Sequence, residues 1–286
     1  MSPRPGTDLR DRVVLVTGGS AGIGRATVAR LTAGGALVVT CARNGDRLAQ
    51  ALARLPRATG VVADVADAAD RARLVDRVLA EHRRLDAVVL NAGLGWAGLV
   101  EDMPGEVVEG MVAANLTGVI ELTRLALPHL LAAARERGRA DLVPVASAAA
   151  WSQVPPLTVY SATKAGVQGF VKGLRREVTS RGVRVHTINP GPVSTEWLAR
   201  GHGSPPVDDA DAPGRLSRGI APERVAEQVA GCLTSYWSRT VSVPRWMGLA
   251  RLGEVTPVNR MLDMVLSRQA DRIRGIAARS VERRIG

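Results

Sequence analysis

The chain has 286 residues, of which 46% are hydrophobic, 3% aromatic and 23% charged, and its formal net charge is +11. This length and composition suit one large α/β domain whose core is filled by Val, Leu and Ala. The positive charge raises nucleic acid or an anionic surface as a partner, but the arginines are spread along the whole chain without a basic block or a nucleic-acid-binding signature, which argues against sequence-directed nucleic-acid binding.

Apolar runs of strand length alternate with segments of helical spacing along the chain. In chain order they predict strand 13–17, helix 23–32, strand 37–41, helix 46–55, strand 60–63, helix 68–81, strand 87–90, helix 106–135, strand 142–146, helix 158–181, strand 183–188, helix 223–234 and strand 240–243. Because these strands are apolar on both faces and separated by helices, we expect a Rossmann-type α/β fold. It should be a doubly wound parallel sheet of about seven strands with helices on both faces.

Two segments interrupt this alternation. Residues 195–219 are rich in Gly, Pro and Asp and too long for an ordinary connection, which is typical of a substrate lid. Residues 244–286 follow the last strand, and within 258–286 apolar residues recur at helical spacing among many arginines. We therefore expect a catalytic domain over 1–243 and a C-terminal extension with a basic amphipathic helix. That helix should pack on its own domain or on a second copy, and peripheral membrane contact is the less favoured alternative.

The cysteines and the uncharged segments bear on the compartment. Cys41 and Cys232 stand alone, without a CxxC pair or histidines at ligand spacing, so we expect no metal and a reducing environment. The start of the chain lacks the apolar core of a signal peptide. The longest uncharged stretch, residues 142–163, contains three prolines and does not suit a membrane span. The prediction is a cytoplasmic protein.

A glycine-rich turn follows the first predicted strand and opens the first helix. It reads Thr17-Gly18-Gly19-Ser20-Ala21-Gly22-Ile23-Gly24. Glycines allow a tight turn and bring backbone amides close to a pyrophosphate, whose charge the helix N-terminus favours. This spacing differs from the standard G-x-G-x-x-G, but its position at the first strand–helix turn predicts dinucleotide binding.

The sequence Val159-Tyr160-Ser161-Ala162-Thr163-Lys164 contains one of two tyrosines and one of two lysines in the chain. Residues four apart share one face of a helix, so the ammonium can lie beside the phenol. Since a free tyrosine has a pKa of ~10, a base at neutral pH needs help. The Lys164 ammonium would favour the phenolate and lower that pKa, which makes Tyr160 the candidate acid/base.

Together these motifs resemble the short-chain dehydrogenase/reductase family over about residues 9–243. Further motifs of the family follow in order: Asp64-Val65, Asn91-Ala92-Gly93, Asn115, Ser147 and the run from Asn189 to Thr195. Ser147 lies thirteen residues before Tyr160, the separation that the family uses. The resemblance implies an oxidoreductase that binds NAD(P) and commonly forms a homodimer or homotetramer.

The resemblance also implies roles for single residues. The catalytic set is Ser147, Tyr160, Lys164 and Asn115, with Ser147 on the substrate oxygen and Asn115 holding a water behind Lys164. The positive nicotinamide of the oxidised cofactor would act with Lys164 to lower the pKa of Tyr160. The residues implied to contact the cofactor are Gly18, Ser20, Gly22, Ile23, Gly24, Asp64, Val65, Asn91, Gly93, Tyr160, Lys164, Pro190, Gly191, Val193 and Thr195. Among these, Asp64 would bond the adenine and Thr195 the nicotinamide carboxamide.

The end of the second strand bears on which cofactor is used. An acidic residue there would bind the ribose 2′-hydroxyl of NAD, but the sequence reads Thr40-Cys41-Ala42-Arg43-Asn44, with no acid before Asp46. Arg43 is placed to meet a 2′-phosphate, for which a planar guanidinium is well suited. We therefore expect NADP(H) to be preferred, with NAD(H) possible.

These observations predict an NADP-dependent enzyme that interconverts a secondary alcohol and a ketone or aldehyde. Trp246, Met247, Leu249 and Leu252, with Trp197 and Leu198 in the lid, suggest an apolar substrate pocket. One alternative is a regulator that binds the cofactor without turnover, although such a protein would not need the four catalytic residues. Another is a membrane- or partner-binding protein governed by the C-terminal helix.

Overall fold

The computed structural model describes residues 8–194 and 219–254. The strands are β1 Val13–Thr17, β2 Leu37–Ala42, β3 Ala58–Val62, β4 Ala87–Leu90, β5 Ala140–Pro144, β6 Val183–Val185, β7 Thr187–Pro190 and β8 Thr240–Val243. The α-helices are α1 Gly22–Ala33, α2 Gly45–Leu52, α3 Ala68–His82, α4 Gly105–Val112, α5 Gly118–Arg137, α6 Ala149–Ser152, α7 Thr158–Val178 and α8 Pro222–Leu233. Short 3-10 segments cover Val100–Asp102, Thr179–Arg181 and Arg245–Glu254, and a π turn covers Ala113–Thr117.

Six strands form one parallel sheet in the order β3-β2-β1-β4-β5-β6. In the centre of the sheet, Val14 of β1 lies opposite Val38 on one side and Ala87 on the other. Helices α3, α5 and α7 pack on one face, and α1 and α8 on the other. The predicted Rossmann-type fold is confirmed. The strand order reverses between β1 and β4, and ligands of such sheets bind at the carboxyl ends of the strands on either side of that point.

The predicted strand over 183–188 is wrong in one respect, because the chain divides it at His186 into β6 and β7. β6 pairs with β5, while β7 pairs with β8 as a separate parallel pair that one backbone bridge joins to the chain after β5. The buried His186 ring explains the division. Its Nε2 bonds to Asp141 at 2.9 Å and its Nδ1 accepts the N–H of Arg239 at 3.1 Å.

Buried charges close the amino edge of the sheet around Asp141 on β5. Burial alone would raise the pKa of Asp141, but the His186 hydrogen bond and the charges of Arg12 and Arg139 hold it well below its ordinary value. Arg12 and Arg139 donate to this carboxylate at 2.6 and 2.7 Å. A ligand is therefore expected at the opposite, carboxyl edge, where open α/β sheets place their ligands.

The helix predicted over 106–135 is interrupted by the π turn between α4 and α5. Within the described residues, the stretch Gly105–Arg137 is the one helix long and apolar enough to cross a membrane. Leu122, Ala126 and Leu130 of α5, however, are buried in the main hydrophobic cluster. In this fold the stretch is accordingly a core helix.

Candidate active site

The turn between β1 and α1 has no room for a side chain at Gly19 or Gly24. Gly18 and Gly22 have φ values of 77° and 50°, which glycine adopts without strain. A Cβ on Gly24 would lie 2.0 Å from the Gly18 carbonyl oxygen. The first turn of α1 contains no acidic residue, and Ala21 before it supplies no side-chain cap. Its orphan N–H groups can therefore bind an anion, and the turn fits a cofactor pyrophosphate.

The loop after β4 is bound to this glycine turn through Thr17. The Thr17 hydroxyl accepts the N–H groups of Asn91 and Ala92 at 3.0 and 2.9 Å, and the Asn91 amide donates to the Thr17 carbonyl at 3.0 Å. A Cβ on Gly93 would lie 3.5 Å from Lys164 Nζ. The structure thus brings Asn91 and Gly93 to the reversal point of the sheet, beside the lysine of α7.

Asn115 lies in the π turn, fully buried. Its Oδ1 accepts the N–H of Leu94 at 2.7 Å, while its Nδ2 donates to the Leu94 carbonyl at 2.8 Å and to Thr163 Oγ1 at 3.2 Å. All these partners belong to the protein, so Asn115 joins the β4 loop to α7. π turns of this kind are frequent at functional sites.

Lys164 and Tyr160 lie side by side on α7, and both are buried. Lys164 Nζ lies 5.7 Å from the centre of the Tyr160 ring and donates to the Val145 carbonyl at 3.1 Å. Burial lowers the pKa of Lys164 to about 8. Burial also raises the pKa of Tyr160 to about 12, against the opposing effect of a hydrogen bond with Ser147.

This pKa differs in direction from the sequence-based expectation for Tyr160. Among the protein's own groups, the loss of hydration around the phenol outweighs every interaction that favours the phenolate. The positive nicotinamide that the expectation included is not part of the protein. At neutral pH the side chain is therefore a neutral phenol, able to donate a proton.

Ser147 follows β5 and is hydrogen-bonded to Tyr160. Its Oγ accepts the N–H of Ala149 at 3.1 Å, which fixes the serine at the start of the short helix α6. The structure thus places Ser147 and Tyr160 together and Lys164 one turn further along α7. These are three of the four residues assigned to catalysis, and the fourth, Asn115, reaches them through Thr163.

An apolar cluster surrounds the phenol, and it contains a residue that the sequence analysis missed. Trp96, Met111, Ala149 and Tyr160 form this cluster, and side chains of the β4 loop, α4 and the start of α7 pack around it. Trp96 is 4% exposed. Its position five residues after Asn91, on a loop at the carboxyl end of a strand, is the signal that could have identified it.

The predicted apolar pocket residues after β8 lie elsewhere. Trp246 and Leu249 are 68% and 66% exposed, because the 3-10 segment that carries them turns these side chains outward. Met247 instead lies so close to Gly191 that a Cβ there would be 2.1 Å from its sulfur. Trp197 and Leu198 fall outside the described residues, and so does the side chain of Leu252.

The remaining cofactor candidates flank the glycine turn. Arg43 follows β2 and is exposed, with no hydrogen bond or ion pair within the described residues. Asp64 follows β3, is half-buried, and its Oδ1 accepts the N–H of Ala66 at 2.9 Å. Val65 beside it is buried. Ser20 and Ile23 are half-buried in the turn itself.

On the other side of the crevice, β7 ends at Pro190. The N–H of Gly191 donates to the Val243 carbonyl at 2.8 Å, and Val193 forms a backbone bridge with Ile220. These residues therefore continue from the carboxyl end of β7. Thr195 lies outside the described residues, as do the rest of the predicted lid up to residue 218 and the predicted C-terminal helix.

Across 8–194 and 219–254, no group of three His, Cys, Asp or Glu side chains is arranged to hold a metal ion. Cys41 and Cys232 are both buried thiols, and burial raises the pKa of Cys41 to about 11. Both cysteines are therefore protonated at neutral pH.

Comparison with known proteins identifies the family. The short chain dehydrogenase family model matches residues 12–202. A Streptomyces virginiae protein assigned as the ketoacyl reductase of the monensin polyketide synthase is 36% identical over 198 residues, which cover 68% of this chain and 75% of that protein. The chain belongs to the short-chain dehydrogenase/reductase family. It is an oxidoreductase of the kind that acts on CH–OH donors with NAD(P).

Two solved structures are similar over nearly their whole length. The 3-ketoacyl-(acyl-carrier-protein) reductase of Brucella melitensis, complexed with NADH, is 26% identical with a TM-score of 0.74, covering 82% of this chain and 98% of that one. The Pseudomonas aeruginosa RhlG/NADP active-site complex is also 26% identical with a TM-score of 0.74, covering 84% and 97%. One of these relatives holds NADH and the other NADP.

Proposed function

We propose that this protein is an NADP-dependent carbonyl reductase that interconverts an apolar ketone, or an aldehyde, and the corresponding alcohol. The observation that carries the proposal is the Tyr160 phenol, buried in an apolar cluster, hydrogen-bonded to Ser147 and one helical turn from Lys164. A regulator that only bound the cofactor would have no need of this arrangement.

The glycine turn fits the cofactor, since a Cβ is excluded at Gly24 and no side chain caps the N-terminal amides of α1. Gly18, Ser20, Gly22, Ile23 and Gly24 would hold the pyrophosphate. Asp64 and Val65 would border the adenine, Asn91 and Gly93 the riboses. Pro190, Gly191, Val193 and Thr195 would border the nicotinamide. When bound, the reduced cofactor supplies the hydride that reaches the carbonyl carbon.

The protein's own groups handle the carbonyl oxygen. The Tyr160 hydroxyl donates its proton to this oxygen as negative charge develops, and with a pKa of about 12 it is protonated throughout the neutral range. The Ser147 hydroxyl donates a hydrogen bond to the same oxygen and stabilises that charge. Lys164, with a pKa of about 8, is mainly an ammonium at pH 7 and stabilises the phenolate left behind.

Asn115 positions this machinery instead of touching the substrate. Its three hydrogen bonds hold the β4 loop against α7, where Thr163 lies next to Lys164. The family analogy places a water of the proton relay behind the lysine at this position. In the proposal, Asn115 keeps Leu94 and Thr163 at the spacing that the relay requires.

Arg43 supports the choice of NADP. It stands at the end of β2, is exposed, and forms no ion pair within the part of the chain that the structure describes. The first acidic side chain after β2 is Asp46, which already lies in the first turn of α2. A guanidinium without a competing carboxylate favours a 2′-phosphate over a 2′-hydroxyl.

The substrate proposal follows from the cluster around Tyr160. Trp96, Met111 and Ala149 present apolar surface beside the phenol, and apolar walls with few polar groups suit a lipophilic carbonyl compound. The ketoacyl reductase assignments of two similar proteins agree with a ketone as the reacting group. We also propose the division into a catalytic domain over 1–243, a lid over 195–219 and an extension over 244–286. A homodimer or homotetramer in the cytoplasm is our further prediction.

The Tyr160→Phe variant tests the mechanism. It should lose reductase activity by about 10³-fold or more, since the proton donor is removed, while its affinity for NADPH stays within about threefold of the original. Activity is measured by the loss of nicotinamide absorbance with a panel of apolar ketones and aldehydes. Tyr236→Phe, which changes the exposed tyrosine, is the matched control. Retained activity in Tyr160→Phe would show that another group delivers the proton.

The Arg43→Ala variant tests the cofactor preference. Loss of the phosphate contact should weaken NADPH binding by about tenfold or more and leave NADH binding nearly unchanged. Fluorescence titration of both nucleotides measures this. Arg54→Ala removes another exposed charge, two residues beyond the end of α2, and should change neither affinity. Equal losses for the two nucleotides in Arg43→Ala would overturn the NADP proposal.

A further inference from the structure

A cavity of about 220 Å³, the α7 pocket, lies between α7 and the first residues of β7 and β8. Trp151 of α6 and Arg251 of the 3-10 segment Arg245–Glu254 complete its lining. Lys172, which also lines it, is eight residues beyond Lys164 on the same helix, or about 12 Å along the axis. None of the four residues assigned to catalysis lines the pocket, so it is a different cavity from the candidate active site.

Three basic side chains line the α7 pocket, and its described lining contains no carboxylate. Arg175 is held in place, since its Nε donates to the Val185 carbonyl at 2.9 Å and its Nη2 to Thr240 Oγ1 at 3.2 Å. Arg251 lies over the Trp151 ring at 4.3 Å. Lys172 is exposed and forms no ion pair within 8–194 and 219–254.

No carboxylate in the described lining of the α7 pocket neutralises these three cations. Arg175 is half-buried, and burial lowers its pKa. Because a partly buried charge is screened less than one in water, an anion inside the cavity would be attracted to all three cations.

A second, independent feature of the pocket points to a ligand. Thr187 lines it from β7 and is fully buried, yet its Oγ1 has no hydrogen-bond partner in the described part of the chain. A buried hydroxyl without a partner destabilises a protein, so such groups are uncommon. A ligand oxygen that reached this hydroxyl would satisfy it.

We propose that the α7 pocket binds a phosphate group. A phosphate carries about −1.5 to −2 charges and three terminal oxygens, enough to meet the two cations of α7, Arg251 and the Thr187 hydroxyl together. A carboxylate has one charge and two oxygens and would leave part of this set unmatched. The group is carried either by inorganic phosphate or by a small phosphorylated molecule.

Calorimetric titration of inorganic phosphate into the full chain, at constant ionic strength, tests the proposal. Saturation with NADP⁺ beforehand occupies the other place where phosphate groups bind. One phosphate should bind per chain, and Lys172→Met and Arg251→Met should each weaken it by about fivefold or more. Arg176→Met, which removes an exposed charge from the same helix outside the pocket, should leave the affinity unchanged.

Thr187→Val distinguishes a binding role from a structural one. It replaces the orphan hydroxyl with a methyl group, so phosphate should bind more weakly while the melting temperature without phosphate stays the same or rises. Tighter binding of glycerol 3-phosphate than of inorganic phosphate would identify a phosphorylated molecule, and equal binding would identify the free anion. Absence of saturable binding, equal weakening in Arg176→Met, or equally tight binding of acetate would overturn the proposal.

Discussion

Replacement of Lys164 by methionine should make the protein more stable at neutral pH while abolishing its activity. Lys164 is buried, and burial lowers its pKa from 10.5 to about 8. That difference corresponds to about 3 kcal/mol of unfavourable free energy for keeping the ammonium in the folded protein at pH 7. Methionine cannot donate to the Val145 carbonyl, and loss of that hydrogen bond destabilises the variant by about 1 kcal/mol. The free energy of unfolding of Lys164→Met should therefore exceed that of the original protein by about 2 kcal/mol at pH 7.

The sign of the pH dependence follows from the direction of the shift. Below the folded pKa of about 8, lysine is charged in both states and the whole penalty applies. As the pH rises towards the unfolded value, the folded protein releases its proton and the penalty disappears. The advantage of Lys164→Met should therefore shrink by about 2 kcal/mol between pH 7 and pH 10.

Urea unfolding at both pH values, without added nucleotide or phosphate, measures these differences. Lys172→Met is the matched control, since it makes the same substitution at the exposed lysine of the same helix and should change stability by less than about 0.5 kcal/mol. Lower or equal stability of Lys164→Met at pH 7 would refute the reasoning. So would a stability difference that does not vary with pH.

Two further predictions concern the residues around the cofactor crevice. Gly24→Ala places a Cβ 2.0 Å from the Gly18 carbonyl oxygen, so NADPH affinity should fall by about tenfold or more, measured by fluorescence titration. Gly169→Ala is the control: it adds a methyl group where no atom lies within 4 Å and should raise the free energy of unfolding by about 1 kcal/mol. A similar loss of NADPH affinity in both variants would contradict the steric argument. Asn115→Ala leaves the backbone N–H and carbonyl of Leu94 without their side-chain partner. The free energy of unfolding in urea should fall by about 2–3 kcal/mol. An unchanged unfolding midpoint would show that water replaces the amide.

The parts of the fold that local sequence determines were predictable. β1 is a run of five buried apolar residues, and the glycines that follow it leave little choice but a tight turn into a helix. Asn44 and Asp67 cap α2 and α3 by accepting the N–H of the residue three positions on, which is why both helices start within one residue of the predicted position. Pro222 likewise opens α8.

The division of β6 from β7 could not be predicted from the local pattern. Residues 183–188 alternate well enough to read as one strand, and His186 within it gives no local signal for a break. Its hydrogen bond to Asp141 joins residues 45 positions apart, and its other ring nitrogen meets Arg239. Only the tertiary structure brings these partners together, so tertiary contacts overrode the local preference.

The candidate site shows the same distinction between local and distant information. Tyr160 and Lys164 are four residues apart on one helix, and their proximity follows from that spacing alone. Trp96 reaches the phenol only because the β4 loop, α4 and α7 converge at one end of the sheet. Asn115 could be located through family resemblance, but its partner Leu94 on the β4 loop could not.

The burial of Lys164 also explains why an arginine-rich chain has a lysine at this position. A guanidinium stays charged at any physiological pH and needs partners for five N–H groups, whereas an ammonium can lower its pKa when it is buried. The described contacts of Lys164 are a single carbonyl and the nearby Tyr160 ring, and its pKa falls to about 8. An arginine at 164 would add unpaired donors and a larger head group beside Gly93, where even a Cβ comes within 3.5 Å of the lysine nitrogen. Lys172 is exposed on the same helix and is under no such constraint. Burial therefore explains the choice of lysine over arginine at position 164 but not at position 172.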